Sequence, residues 1–554
     1  MFLDEVMSHF KLLWRDLRGR QQYRRFREKE DRKRRLLAQI FTLLTLITGI
    51  YYLIWHAYRI NWETWFISLP FFLAECIGLF LFLSFSFTSW YPRFHDPAGI
   101  PTDQVFSVDV FITTCGEPLE MVKKTMQAAA AIHYEPKTLY LLDDKGNPQL
   151  AALAAQLGFR YLARETHEDA KAGNLNYGLQ HSNGDLILTL DADQVPSPQI
   201  LRRLVGYFRL PKIAFVQSKQ NFLVPRGDPF GNTDKVFYNV MQSGKDSDNA
   251  AFSCGSGVIY RRAALDEIGG FSTWNLVEDV HTSMLLHQRG WKSVYYNYSL
   301  TIGTAPADIW GAYRQRGQWA TDSLRLIFWD NPFWRQGLSF KQKMQYFNLG
   351  FVYLVSAFVM PIFFLVPIWT IFSNTFVLDS PVRDYIWHRL PAFLCTSIAY
   401  GILNYPTPYL QAYQMWTGLF PVFIRSTFQA LRYRRHKPPY RVTVKENHQK
   451  LTRPALMAII PQLIIIIANI AAIIYGFFFR RSFAEFLLLN YAWSIWAIWT
   501  LSGICAAALM PVRWQEKEAE KETYTAVDII NNTLGLILFI CIVSLGAFLV
   551  LGLQ

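Results

Sequence analysis

No C-x-x-C pair occurs among the six cysteines of this 554-residue chain, so they point to neither a zinc site nor a disulfide framework. Four of them, Cys76, Cys395, Cys505 and Cys541, fall inside long apolar runs. The chain also lacks an internal repeat and any long low-complexity stretch. No cleavage site follows the first apolar segment, and a long charged tail precedes it, which reads as an uncleaved anchor and not a signal peptide. The basic run from Arg15 to Arg35 has no nucleic-acid-binding module beside it. A solvated tail touching anionic lipid is expected there, and no nucleic-acid partner.

What is present is apolar: 51% of residues are hydrophobic and 16% aromatic. Leu36 to Ala57, Trp65 to Phe87, Tyr346 to Phe372, Tyr385 to Tyr405, Pro454 to Phe479, Phe486 to Leu509 and Ile529 to Leu551 are each long enough to cross the bilayer hydrocarbon. A polytopic membrane protein with about seven spans follows. The formal net charge is +13, concentrated in Arg15 to Arg35 and Arg425 to Lys450. Positive charge beside short loops marks the cytoplasmic side, so both clusters and the hydrophilic region between spans two and three are expected inside. Arg480-Arg481 falls on the other side by the same alternation, and the two clusters outweigh it.

From about Val105 to Gly303 the apolar runs shorten and alternate with helical patterns, the grammar of an α/β sheet. Val108 to Thr113, Thr138 to Leu142, Asp185 to Leu190 and Ile213 to Gln217 read as strands. Leu119 to Ile132, Pro148 to Leu157, Ala170 to Leu179 and Pro198 to Phe208 read as helices between them. Ligands of open α/β sheets sit at the carboxyl ends of strands, where Asp143, Asp144, Asp191 and Asp193 fall. Alone, each such aspartate would be a turn former or a helix cap. Further on come Val277-Glu278-Asp279, opening a helical pattern from His281 to Arg289, and Gln315-Arg316-Gly317-Gln318-Trp319, with 35 residues between Asp279 and Gln315.

That order and interval resemble the signature of processive family 2 glycosyltransferases, the group of cellulose, chitin and hyaluronan synthases: two aspartate elements, then a third aspartate 35 residues ahead of a Gln-x-x-Arg-Trp segment. The likeness continues through Cys115-Gly116-Glu117-Pro118, Lys171 to Asn176, Phe252-Ser253-Cys254-Gly255-Ser256 and Val442-Thr443-Val444-Lys445. It is strongest to the catalytic subunits of bacterial cellulose synthases and covers roughly residues 36 to 511.

The resemblance implies a GT-A-like α/β glycosyltransferase domain inserted in a polytopic α-helical membrane domain. It implies that Asp143 and Asp144 bind the uridine part of a UDP-sugar donor. Asp191 and Asp193 would hold Mg²⁺ or Mn²⁺ on the diphosphate, a task that suits a hard, octahedral cation. Lys171 is either a solvated helix-start lysine or a cation beside the same phosphates. Asp279 would be the general base that deprotonates the acceptor hydroxyl. A single base with no covalent nucleophile implies inversion, giving a β-glycoside from an α-linked donor. Glu278, Cys254, Gln315, Gln318 and Trp319 would bind the acceptor, the growing polysaccharide, with the Trp319 indole stacking on a sugar ring. Trp319 also reads as an interfacial anchor and Cys254 as a small hydrophobe. Thr443 and Lys445, in a loop after Lys437-Pro438-Pro439, would reach over the diphosphate; a basic loop resting on the membrane surface is the alternative.

Where the family has threonine, the chain has Val277, a change expected to adjust the acceptor floor. Gln217 to Gln220 differs from the usual QTP element, and Gln318 stands where the family has arginine. No cyclic di-GMP module is visible in the sequence, so no response to that nucleotide is expected. The expected organisation is a basic cytoplasmic segment 1–35, two spans in 36–88, the catalytic domain 105–308, interfacial helices 309–345, two spans in 346–405, an interfacial helix and loop 406–453, two spans in 454–509 and one more in 525–552. The expected function is polymerisation of UDP-glucose into a β-glucan, most simply β-1,4, and its translocation across the inner membrane, with accessory secretion subunits allowed. Alternatives are another β-linked polymer (β-1,3-glucan, mannan, N-acetylhexosamine) or a non-catalytic transporter or scaffold. No strand-end carboxylate is missing, which disfavours the last.

Overall fold

The computed structural model describes residues 32–99, 104–224, 228–306, 308–405, 407, 409–434, 436–438, 454–480 and 484–509. Two long helices come first, α1 (Arg32–Ala57) and α2 (Trp65–Thr88). An alternating region follows: β1 (Val108–Thr114), α3 (Leu119–Ala130), β2 (Lys137–Asp143), α4 (Pro148–Gln156), β3 (Arg160–Ala163), α5 (Ala170–Gln180), β4 (Leu186–Asp191), β5 (Val195–Pro196) and α6 (Ile200–Leu204). Then come β6 (Ile213–Leu223), α7 (Gln242–Ser247), β7 (Val258–Arg261), α8 (Arg262–Glu267), α9 (Glu278–Gln288) and β8 (Lys292–Thr304). The rest is helical: α10 (Ile309–Trp329), α11 (Phe340–Leu354), α12 (Met360–Ser373), α13 (Val382–Asn404), α14 (Leu410–Gly418), α15 (Phe420–Arg432), α16 (Ala455–Ala458), α17 (Ile460–Phe479) and α18 (Ala484–Leu509).

The eight strands form one mixed sheet in the order β3-β2-β1-β4-β7-β6-β8-β5. β1 lies between β2 and β4, parallel to both, while β7 runs antiparallel to β4 and β6. Side chains alternate across β1: Val108, Val110 and Ile112 join one apolar core, and Phe111 joins the other. A strand covered on both faces reads as a largely apolar run, interrupted in β1 by Asp109 and closed by Thr113 and Thr114, which is why β1 was legible. Register then sets the site. Thr114 pairs with Asp143 and Thr113 with Asp191, so the two acidic strand ends flank the end of β1. With strands spaced about 4.8 Å apart, that places their backbones roughly 10 Å from each other.

Among the described residues, five helices are long and apolar enough to cross a membrane: Arg32–Ala57, Trp62–Thr88, Phe340–Ser373, Ile460–Phe479 and Glu485–Leu509. The third begins earlier than the apolar run at Tyr346, because Ser339 and Gln342 form a reciprocal capping box that starts the helix at Phe340. The expected span Tyr385 to Tyr405 is not among these five. It is helical as α13, but Arg383, Asp384, His388 and Arg389 keep it out of the five. Ile529 to Leu551 lies outside the described residues.

Candidate active site

The turn after β2 is shaped by its first aspartate. Buried Asp143 accepts the Lys145 amide at 2.9 Å, the Asn147 amide at 2.7 Å and the Tyr161 hydroxyl at 2.8 Å. Both oxygens are engaged within the turn, so Asp143 acts first on backbone shape. Asp144, also buried, is ion-paired with Arg164, whose guanidinium reaches on to the carbonyls of Glu168 at 2.5 Å and Ala170 at 2.8 Å. Arg164 thus ties the end of β2 to the start of α5. Sequence reasoning missed it, because a lone arginine after a short exposed strand carries no motif.

α5 delivers Lys171 into the middle of the acidic elements. Its ammonium stands 2.7 Å from Asp191, 3.0 Å from Glu278 and 2.9 Å from the Gly255 carbonyl that it bonds. Burial disfavours the charge, but Asp191 and then Glu278 outweigh it and hold the lysine well above its ordinary value. One cation therefore gathers the second and third acidic elements. Lys171 is thus ion-paired on both sides. The approach requires Gly255: its φ is +77°, and a Cβ there would lie 2.9 Å from the Lys171 amine and 3.3 Å from Asp279 Oδ2.

Glu278 and Asp279 form the first turn of α9, ahead of the His281 start that the sequence pattern marked. Asp279 Oδ1 accepts the Val280 amide at 2.6 Å. Burial, then the charge of Glu278, pushes Asp279 well above the usual carboxylate range, against the pull of Lys171. Glu278 spends its carboxylate on Lys171. The residues lining the large cavity include Asp279 and not Glu278.

The segment Phe252 to Ser256 is held by the departing glutamine element. Gln217 accepts the Cys254 amide at 2.7 Å and donates to the Ser256 carbonyl at 3.0 Å; Gln220 donates to the carbonyls of Cys254 and Ser256, each at 2.9 Å. Ser256 in turn accepts the Asp191 amide at 3.0 Å. Cys254 faces the cavity, and burial, followed by the Asp279 charge, raises its thiol so that it stays protonated.

α10 packs along α15, where Ser426 donates to the Gly317 carbonyl at 3.0 Å and the Trp329 indole to that of Ala430 at 2.7 Å. Arg316 is buried, paired with Asp234 at 2.7 Å, with its guanidinium 5.1 Å from the Trp319 ring and 5.8 Å from that of Trp416. This cation–π contact fixes the indole. Trp319, Arg316, Asp279 and Cys254 all line one cavity of about 1240 Å³, which continues among the helices to Tyr52, Glu75, Tyr385, Arg389 and Trp493. Gln315 and Gln318, half-buried on α10, lie off its wall. Asp193 is buried and takes the Thr304 amide at 3.3 Å. Thr443 and Lys445 fall outside the described residues, although Lys437, at the start of their loop, is ion-paired with Asp169 just before α5.

Residues 107–321 match the family described as glycosyltransferase like family 2, and residues 266–407 the family described as cellulose synthase. Residues 107–321 thus resemble a family 2 glycosyltransferase domain, and their mixed sheet is GT-A-like. The chain is similar in particular to bacterial cellulose synthases. Cellulose synthase 1 of Komagataeibacter xylinus is 36% identical over 333 residues, 56% of this chain and 21% of that protein. The cellulose synthase 1 catalytic subunit [UDP-forming] of the same organism is 34% identical over 338 residues, 57% of this chain and 45% of that one. The chain thus spans less than half the length of these curated relatives. Among solved structures, mannosyltransferase PcManGT from Pyrobaculum calidifontis, in complex with GDP-Man and Mn2+, aligns with a TM-score of 0.48 and 15% identity, over 66% of this chain and 99% of that chain. Five membrane-length helices beside such a domain describe a multi-pass membrane protein.

Proposed function

We propose that this protein is an inverting, processive glycosyltransferase that builds a β-linked glucan from UDP-glucose and passes it through its own membrane helices. The observation that carries the proposal is the shared cavity: Asp279 and Trp319 open on the same space that runs between α1, α2, α13 and α18. A polar polymer crossing hydrocarbon needs a protein-lined path, because unsatisfied hydroxyls are costly there. A UDP-sugar donor is supported by the curated relative described as UDP-forming.

In this reading the donor lies across the ends of β2 and β4. Asp143 shapes the turn that receives the base, Asp144 and Arg164 brace it, and Lys171 faces the phosphates. Asp191 and Asp193 would hold a divalent cation. Two carboxylates at and just after the end of β4 suit Mg²⁺ or Mn²⁺ completing its shell with diphosphate oxygens and water. Bound there, the ion would neutralise charge on the leaving diphosphate. Thr443 and Lys445, outside the described residues, are proposed to contact the donor diphosphate.

Asp279, deprotonated, accepts the acceptor hydroxyl's proton as the oxygen attacks the anomeric carbon and UDP departs. Trp319 offers an indole face to the acceptor sugar. Cys254 and Val277 complete its floor, with Glu278, Gln315 and Gln318 supporting from behind the wall. The catalytic domain faces the cytoplasm, where UDP-sugars are made, and the bilayer is the inner membrane.

The test is UDP release by the purified protein with UDP-glucose, GDP-mannose and UDP-N-acetylglucosamine in turn, followed by linkage analysis of the product. A β-linked glucan from UDP-glucose is expected. Release only with another donor would reassign the sugar, and no release with any would overturn the reading.

A further inference from the structure

A further carboxylate, Asp322, lines the cavity that Asp279 and Trp319 share. Asp322 follows Trp319 by three residues on α10, so the two share a helix face, and both line the cavity beside Asp279. Asp322 is buried; Oδ2 accepts the Val277 amide at 2.7 Å and Oδ1 the Leu276 amide at 3.4 Å. Its carbonyl accepts the Asn275 side-chain amide at 3.2 Å. One turn on, Arg325 donates to the Asn275 side chain at 3.0 Å and to the Trp274 carbonyl at 3.2 Å. α10 therefore grips Trp274 to Val277 from outside.

That segment ends at the N-cap of α9, and the next two residues are Glu278 and Asp279. Val277 has no side-chain oxygen to cap the helix, so the grip from α10 fixes a start that the local sequence leaves unfixed. The charged groups around Asp322 are Glu278 and Asp279 on α9, Lys171 on α5 behind them, and Arg316 and Arg325 on α10 itself, with Asp234 paired to Arg316 and the Tyr353 phenol on α11 across the cavity. Burial, opposed by the Val277 amide and Arg325, brings Asp322 up to about 7. Asp322 also adds to the field that raises Asp279.

We propose that Asp322 is a positioning residue for the base: it ties the start of α9 to the helix that carries Trp319 and sets a second negative charge against Asp279. The inference rests on the reading of Asp279 as general base. Asp279 works deprotonated, so a charged neighbour moves its ionisation to higher pH, and removing that charge moves it back down.

The experiment is the pH profile of kcat/KM for UDP release by the full-length enzyme, whose acid limb reports the free enzyme's base. Asp322→Asn keeps an acceptor for the Val277 amide and loses the charge; its acid limb is expected to fall by on the order of 0.5–1 pH unit. Asp322→Ala loses the acceptor too and should show the same shift with kcat reduced about tenfold, UDP affinity being unchanged. An acid limb of Asp322→Asn that overlays the wild type overturns the proposal, as does Asp322→Ala with wild-type kcat. If Asp322→Asn does not fold, Asp322→Glu carries the test: charge retained and reach altered, it should keep the acid limb and lose kcat, and an unchanged kcat overturns the proposal. Asp279→Asn run alongside separates the failures. Turnover in that variant removes the base itself, whereas an inactive Asp279→Asn beside an unmoved Asp322→Asn profile removes only the role of Asp322.

Discussion

The strand-end charge cluster and the cavity among the helices are built by opposite rules. At the strand ends the charges are fixed in place: Asp144 by Arg164, Asp191 and Glu278 by Lys171, Asp143 by turn amides. Among the helices the wall is made of rings, including Tyr413, Trp416, Trp493 and Trp496, which offer faces and few fixed bonds. Bond chemistry needs groups held in one geometry. Conveying a chain of repeating units needs surfaces that tolerate its movement. The exception among the helices is Glu75, bonded to His56 at 2.7 Å and facing Arg389 at 3.1 Å. It explains why α13 carries charge: Arg389 answers a carboxylate buried in α2.

Breaking the charged half should have the largest effect. Asp279→Asn is expected to lower turnover by about 10²–10⁴-fold while UDP binding, measured by calorimetry, stays near wild type. Because Asp279 is raised by burial and Glu278, wild-type activity should fall on acidification at a pH above the ordinary carboxylate range. Near-normal turnover in Asp279→Asn would leave the charged half without a catalytic role.

Trp319→Ala tests the ring half at the point where the two meet. Product length, read by gel filtration, should shorten or collapse while donor binding persists, since stacking on an indole serves the acceptor alone. The same change removes one of the two cation–π partners of Arg316, so Trp319→Phe should restore part of the length. Gln318→Arg probes the seam with a smaller expected gain. A charge-assisted contact is worth about 1.5–3 kcal/mol, so tighter UDP-sugar binding or longer product is predicted. Arg316 does not already fill that role, because its guanidinium is committed to Asp234 and the Gly231 carbonyl.

The smallest effect concerns stability where the halves are joined. Lys245 on α7 is buried and donates to Gln345 of α11, its carbonyl at 2.7 Å and its side chain at 3.1 Å. Burial lowers it to about 7. Above that pH and up to the ordinary lysine value, the unfolded chain holds the extra proton, so stability rises with pH through this window. Lys245→Met should flatten that rise in Tm; an unchanged slope would exclude the lysine as its source.

How much of this was legible follows the same division. β1, β2, β4 and the core of β6 were readable because strands covered on both faces are largely apolar. β3 and β5 were not, being four and two residues long, and β7 and β8 carry polar or aromatic residues that break the pattern. Strand-end aspartates were visible as an ordered set, and the GT-A sheet follows the expected fold. Their binders were not visible. Arg164 and Asp322 act across distances of 20 and 45 residues that no local spacing encodes, and Gln217 and Gln220 looked only like a departure from a motif. Acidic residues of α9 were expected ahead of the helix and are its first turn, because the cap is supplied by α10 and not by the local sequence.

In the proposed function, one cavity joins Asp279 to the far side of the membrane helices. Vesicles reconstituted with the protein, its catalytic domain outward, test it most directly: UDP-glucose and Mg²⁺ are supplied outside, and an endo-β-glucanase is added afterwards. The account predicts a labelled polymer that resists the enzyme until detergent opens the vesicles. Product that is digested at once, with none protected inside, would contradict it.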